Sequence, residues 1–260
     1  MTKTQRNILL FLPLQALVIF IFFYLTRYWL IGIVFQVVLT LTMIRRSLAG
    51  GSRSMVVAKS VQPIMFAVFA SMFSMLLVQL YGISMVFFGV LMSIIVLGYG
   101  AMSYRGLRSN VGVGYASIIS MMQIVLVTNF VVLAMAYWRL PGVVSLPLLF
   151  IAILVLVGWW LIETLRSSRD IVVISSVWGL IVCELVWVFS HWIVVYQLPS
   201  LNIVVAQAAV IVGALSYTVG GLYYHQRQGS LRPQLIFEYS SVFVIVFVVT
   251  LVAAIASAGL

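Results

Sequence analysis

Glu184 is the ionisable side chain whose position in the sequence most directly suggests chemistry. It lies 13 residues beyond Ile171, the first residue of an apolar run, which places it about 20 Å along a helix and inside a membrane. His191 follows seven residues later and returns to the same helix face, with Trp187 between the two. This pattern predicts either a proton or cation path that opens outward or the polar lining of a pocket with Trp187 as a wall.

A structural interpretation of Glu184 stays open beside the functional one. A carboxyl group in hydrocarbon can remain protonated and bond an amide on another span, because leaving it ionised there costs several kcal/mol. Asn129 and Gln36 lie at similar predicted depth and are the candidate partners. The backbones of Glu184 and His191 are about 10 Å apart along the helix axis, so a water or a ligand would have to join their side chains.

A second polar cluster lies where one apolar segment ends and the next begins. Residues 223–227 close the first segment with two tyrosines, a histidine and an arginine, and further polar residues open the second. This cluster predicts a site for an anionic headgroup or a partner protein at the cytoplasmic face. The alternative is an ordinary interfacial belt of aromatic rings and snorkelling arginines. The candidate residues are His225, Arg227, Arg232, Glu238 and Tyr239.

The positions of lysine and histidine argue against two kinds of bound cofactor. A retinal chromophore needs a Schiff-base lysine inside a late span, but Lys3 and Lys59 both precede the third predicted span. A membrane haem of the b type takes two histidines at similar depth, whereas His191 and His225 are predicted at opposite ends of neighbouring spans. We therefore expect no cofactor.

The sequence also lacks the groups of residues that catalytic and metal sites require. Enzymes that transfer prenyl or alcohol phosphates hold magnesium with acidic clusters, and this chain has one aspartate, Asp170. Ser216 has neither the following glycine of a serine nucleophile motif nor a histidine in the next span. Cys183 is the single cysteine, which excludes an intrachain disulfide and a multi-cysteine metal site. The sequence therefore predicts a protein that is not an enzyme and holds no metal.

The elements that must position these residues are membrane-spanning helices. Hydrophobic residues make up 65% of the chain and charged residues only 7%, far below the roughly 25% that is usual in soluble domains. In lipid the backbone must bond internally, which permits helices or a closed barrel, and the apolar runs lack the alternation of barrel strands. The predicted fold is therefore all-α: a polytopic helical bundle in one transmembrane domain over residues 1–260.

The apolar runs divide into nine spans of about 20 residues each. The first run has to be split near residues 26–28, because one helix from 8 to 44 would be about 55 Å long and the hydrocarbon core is only about 30 Å thick. A second tight turn is predicted near residues 81–82 for the same reason. The predicted spans are 8–25, 28–44, 63–80, 82–100, 117–137, 146–165, 171–194, 203–224 and 235–257.

The basic residues give these spans a direction. Twelve of the 14 fall on one side, and only Arg27 and Arg139 fall on the other. Because short cytoplasmic loops are enriched in lysine and arginine, we expect the N-terminus in the cytoplasm and the C-terminus outside. The net charge of +10 thus reflects topology and not nucleic-acid binding, since the basic residues are scattered singly or in pairs. The expected location is the cytoplasmic membrane of a prokaryote.

Two non-enzymatic functions are compatible with these features. The first is a membrane-embedded component of a larger or homo-oligomeric assembly, which minimal loops and the many small residues and methionines favour. The second is a small transporter or lipid-handling protein for protons, lipids or apolar molecules, with Glu184 as its intramembrane ionisable group. The expected partners are membrane lipids, including anionic headgroups at the cytoplasmic face, and other membrane subunits or further copies of the chain.

Overall fold

The computed structural model describes residues 113–165, 170–191, 194–198 and 203–257, together with eight separate helical residues between Leu17 and Thr42. The chain forms two compact units, Met1–Val111 and Gly112–Leu260, which are described separately. In the first unit, the described residues of predicted spans 8–25 and 28–44 are helical. The rest of those spans, the turn at 26–28 and spans 63–80 and 82–100 lie outside the described residues.

The second unit is a bundle of five helices joined by three short connections and one longer segment between α3 and α4. Four of them, α1, α2, α3 and α5, contain segments long and apolar enough to cross a membrane. The prediction of a helical membrane protein is therefore supported in its coarse form. The glycines, tyrosines and glutamines of α4 make it less apolar. The helices are α1 (Val113–Tyr137), α2 (Gly142–Leu165), α3 (Ile171–Phe189), α4 (Gln207–Arg227) and α5 (Pro233–Ser257).

A β-hairpin between α3 and α4 corrects the all-helical prediction. The predicted span 203–224 extended helix into residues that instead form β2 (Ile203–Ala206), and its partner strand β1 (Val195–Leu198) lies between the predicted spans 171–194 and 203–224. The strands are antiparallel, and Val195 pairs with Ala206. The local sequence permits this hairpin, because the two runs contain valine, isoleucine and tyrosine, which favour extended backbone, and a proline and an asparagine lie in the connection.

Side chains of α1 and α5 hold this hairpin. The Asn129 amide of α1 donates to the Val204 carbonyl (Nδ2···O, 3.1 Å), and its Oδ1 accepts from the Ala206 backbone N–H at 2.6 Å. On the other strand the Tyr196 hydroxyl donates to the Thr250 carbonyl of α5. A two-stranded hairpin is only marginally stable alone, so these bonds are needed to keep it ordered.

The helices pack through small residues around α1. This central helix contacts both α2 and α4, while α3 contacts mainly α2, and α5 contacts mainly α4. A Cβ built on Gly213 of α4 would lie 2.5 Å from Cγ2 of Val125 in α1, and one on Gly179 of α3 would lie 2.9 Å from the Phe150 ring of α2. A larger residue at either glycine would therefore require the neighbouring side chain or helix to shift, so these glycines allow the close helix packing typical of membrane proteins.

Most of the charged residues that are described in this unit lie at one of its ends. Short connections, and the hairpin between α3 and α4, make successive helices antiparallel, which brings the beginnings of α1, α3 and α5 to the same end as the ends of α2 and α4. That end contains Asp170, Arg227 and Arg232, and we call it the basic end. The opposite end contains the hairpin and Arg139, and we call it the hairpin end.

Candidate functional site

A cavity of about 490 Å³ lies between the helices toward the basic end. Its volume falls within the range of about 300–1,000 Å³ that is typical of small-molecule sites. All five helices contribute to its wall, which is mainly apolar and aromatic with a few hydroxyl groups. Representative lining residues are Ser117 of α1, Trp160 of α2, Trp178 of α3, Tyr217 and Gly220 of α4, and Tyr239 of α5.

Two adjacent glycines of α4 shape this cavity. A Cβ built on Gly220 would be 3.8 Å from the Trp160 ring, an ordinary van der Waals distance, so this glycine leaves open space beside the indole. A Cβ on Gly221 would overlap the Tyr239 ring, so its absence lets α5 approach α4 directly. The Thr218 hydroxyl fixes this approach by donating to the Tyr239 carbonyl oxygen at 3.0 Å.

Aromatic rings with polar edges form much of the wall. The centroid of the Tyr239 ring is 5.2 Å from that of Tyr217 and 6.0 Å from that of His225. Across the cavity, the Trp160 Nε1–H donates to the Ser117 hydroxyl at 3.0 Å, which orients the indole. Such rings bury large apolar areas while presenting hydroxyl and N–H groups at their edges. The cavity therefore suits a ligand that is apolar along most of its length and polar at one end.

Polar contacts concentrate at the basic end of the cavity. Arg227 donates from Nε to the Tyr223 hydroxyl at 2.9 Å and from Nη2 to the Asp170 carboxylate at 3.0 Å. The hydrogen bond with Tyr223, followed by that with Asp170, raises the pKa of Arg227, so the guanidinium remains charged at all physiological pH values. The His225 ring nitrogen Nδ1 lies 3.0 Å from the Ser230 hydroxyl.

The structure divides the cluster predicted at this end. His225 and Tyr239 both line the cavity. Arg227 lies one helical turn beyond the cavity-lining Tyr223 and contacts its ring and hydroxyl. Arg232 and Glu238 are exposed and are not part of the cavity wall.

The second predicted group, Glu184, Trp187 and His191, lies on the surface of α3 and not in the cavity. All three side chains are exposed. The imidazole Nδ1 of His191 donates to the Trp187 carbonyl oxygen at 2.8 Å, and the two rings meet edge to face with centroids 4.8 Å apart. Among the residues that the structure describes, Glu184 has no hydrogen-bond or ion-pair partner.

Of the two amides predicted as partners of Glu184, only Asn129 is among the described residues. Asn129 is buried, but both ends of its amide bond the backbone of β2. Its role in the described unit is therefore to anchor the hairpin. Gln36 lies outside the described residues.

Sequence reasoning did not select the aromatic residues of α2 and α3 that line the cavity. Trp160 and Trp178 were indistinguishable from packing or interfacial tryptophans, because each belongs to a different helix and nothing in a single sequence links them. The usable signal was Gly220-Gly221 followed directly by Tyr223-Tyr224-His225, since adjacent glycines beside large rings leave space that the rings can border.

Within the described residues, no group of three or more histidine, cysteine, aspartate or glutamate side chains could hold a metal ion. Comparison with known proteins finds no matching family, no matching curated protein and no matching solved structure. The proposal for function therefore rests on the cavity and on the charges around it.

Proposed function

We propose that this protein is a lipid-handling membrane protein that binds one anionic amphiphile in the aromatic cavity. The observation that carries the proposal is the cavity itself, which is apolar along its wall, has hydroxyl and imidazole groups at one end, and lies one helical turn from the Arg227 guanidinium. Apolar wall and convergent polar groups are the usual features of a small-molecule site. The tail would occupy the space beside Trp160 and Trp178, and the headgroup would lie near His225 and Arg227.

Electrostatics favour an anionic headgroup over a cationic one. None of the residues that line the cavity is acidic. The connections predicted on the same side of the membrane contain further arginines, each of which contributes about 1 kcal/mol of attraction to an anionic surface. Four of these lie outside the described residues: Arg105, Arg108, Arg166 and Arg169.

The proposal includes a topology of nine spans with a cytoplasmic N-terminus and an exterior C-terminus. The twelve-to-two distribution of basic residues supports it. So does the separation of Arg227 and Arg232 from Arg139, which is on the connection between α1 and α2. In this topology the cavity lies in the cytoplasmic half of the membrane, where anionic lipids are available.

The test places a larger side chain at a glycine that borders the cavity. We expect Gly220→Leu to abolish retention of an anionic lipid, because the new side chain would project into the open space beside Trp160. The matched control is Gly142→Leu, since a Cβ there also has its nearest neighbours at 3.8 Å but the position does not line the cavity. Native mass spectrometry of each protein, purified in mild detergent with phosphatidic acid added, measures the retained lipid.

The wild type and Gly142→Leu should each carry one lipid per chain, and Gly220→Leu should carry none. Equal retention by all three proteins would show that the lipid binds elsewhere, and the cavity would lose its proposed role. Thermal unfolding of the same samples checks that each variant is folded.

A role as a component of a larger or homo-oligomeric assembly is the second candidate, and the surface of α5 favours it. Only 6% of the segment Pro233–Ala256 of this helix is buried, and exposed side chains such as Phe237, Ile245 and Val249 cover its outer face. Lipid or a neighbouring subunit can cover such a face. Copurification separates the candidates: a stable particle of one kind of chain with bound lipid supports the first, whereas dependence on other subunits supports the second.

A further inference from the structure

The ion pair between Arg227 and Asp170 lies just beyond the cavity, at the basic end. Ile174 of α3 and Tyr223 of α4 line the cavity, and Asp170 and Arg227 lie one helical turn beyond them on the same two helices. The Arg227 Nη2 to Asp170 Oδ2 distance is 3.0 Å, and within the described residues this is the single salt bridge. Because α3 and α4 contact each other little elsewhere, this pair is a main connection between them at the basic end.

Arg227 is held in place without Asp170. Its Nε donates to the Tyr223 hydroxyl at 2.9 Å, and its guanidinium carbon lies 5.5 Å from the centre of the Tyr223 ring. A guanidinium has five N–H donors, so these contacts leave donors available for a further anion. Carboxylates and phosphates both accept hydrogen bonds from the N–H edge of a guanidinium. The Asp170 carboxylate therefore occupies a position that a phosphate group could take.

Little else holds the Asp170 carboxylate. It is the N-cap residue of α3, yet its side chain makes no capping hydrogen bond. Its side chain is 55% exposed and that of Arg227 is 45% exposed, and ion pairs this exposed are easily broken. Another anion could therefore displace the Asp170 carboxylate from Arg227 without disrupting the start of α3.

We propose that Asp170 acts as an internal competitor for Arg227, and that a phosphate-type headgroup binds by displacing it. This inference rests on the proposed lipid-binding function and adds the headgroup class and the residue that regulates its binding. When the site is empty, Asp170 pairs with Arg227 and joins α3 to α4. When the headgroup binds, its oxygen atoms accept from Arg227, and the pair that joins α3 to α4 breaks.

The proposal predicts opposite effects for the two partners. Asp170→Asn removes the competing charge and keeps the size of the side chain, so the affinity for dioctanoyl phosphatidic acid should rise about threefold. Arg227→Gln removes the charged donor, so the affinity should fall about tenfold. Titration of the full-length protein in neutral detergent, followed by native mass spectrometry, measures both dissociation constants.

Two variants at the same end control for net charge. Glu238→Gln removes an acidic group and Arg232→Gln a basic one, and neither residue lines the cavity. Both should change the dissociation constant less than twofold. If Asp170→Asn has no larger effect than Glu238→Gln, or weakens binding, the competitor role is wrong even if Gly220→Leu abolishes lipid retention.

A parallel titration with inorganic phosphate identifies the source of the anion. The proposal expects weak phosphate binding that does not depend on Gly220, since phosphate has no tail to occupy the cavity. If phosphate binds as tightly as phosphatidic acid, and Asp170→Asn strengthens both equally, the exchange at Arg227 stands and the lipid-binding function fails. If neither ligand responds to Asp170→Asn, the exchange is overturned.

Discussion

At the scale of single residues, Glu184 presents a conflict between its polarity and its position. It is exposed on α3, in a helix apolar enough to span a membrane, and it has no partner among the described residues. A carboxyl group that faces lipid in the folded bundle also faces lipid when the helices separate within the membrane. Its polarity therefore affects the cost of membrane insertion more than the packing of the bundle.

This reasoning predicts that neither Glu184→Gln nor Glu184→Leu changes stability much. Both variants should unfold within about 0.5 kcal/mol of the wild type, as is usual for surface positions away from specific contacts. Thermal unfolding in detergent provides the measurement. A Leu variant that is clearly less stable than the Gln variant would contradict the prediction, because it would reveal a buried hydrogen-bond partner that the amide can still satisfy.

At this scale, sequence reasoning can link residues that are near each other in the chain. His225 and Tyr239 were chosen because they flank one short connection, and their rings do lie together beside the cavity. It could not find Trp160 or Trp178, because their proximity depends on the packing order of α2, α3 and α4. It also proposed Asn129 as a partner of Glu184, whereas the Asn129 amide bonds the backbone of β2. The sequence predicts the depth of a residue along a span but not the direction in which its side chain points around the helix axis.

At the scale of elements, the hairpin shows the limit of hydropathy. Residues 203–224 satisfy the length and apolarity of a span, and those properties do not distinguish helix from strand in a short β-branched run such as 203–205. The helix boundaries elsewhere agree closely: 235–257 was predicted for α5, which begins at Pro233 and ends at Ser257. Proline at a helix start and short polar connections are local signals, whereas the hairpin depends on Asn129, more than 70 residues away in sequence.

We predict that Asn129→Leu destabilises the bundle by removing the anchor of β2. The Val204 carbonyl and the Ala206 N–H would both lose a buried hydrogen bond, at about 1–3 kcal/mol for each group left unpaired. Thermal unfolding in detergent should show a clearly lower midpoint.

The neighbouring Thr128→Val provides a matched control. Thr128 is also buried in α1, and its hydroxyl has no hydrogen-bond partner in the described structure, so its loss should be close to neutral. If Asn129→Leu were as stable as Thr128→Val, the amide would not be holding the hairpin.

At the scale of the whole molecule, the proposed lipid binding depends on which side of the membrane the basic end of the bundle faces. The cavity is near Arg227 and Arg232, and the proposed headgroup comes from the leaflet on that side. Arg139 and the hairpin mark the other side. The orientation of the chain therefore decides which leaflet can supply the ligand.

The basic residues predict that Gln228, between α4 and α5, is cytoplasmic and that Leu140, between α1 and α2, is exterior. Both side chains are exposed, so a cysteine at either position is accessible to reagents. In a Cys183→Ala background, an impermeant thiol reagent added to intact cells should label Leu140→Cys and spare Gln228→Cys until the cells are permeabilised. Thr2→Cys should behave like Gln228→Cys, because eight spans, an even number, separate them in the nine-span topology. Labelling of Gln228→Cys in intact cells would show that the bundle has the opposite orientation, with the cavity in the outer leaflet. Labelling of Thr2→Cys without labelling of Gln228→Cys would show that an odd number of spans separates these two positions.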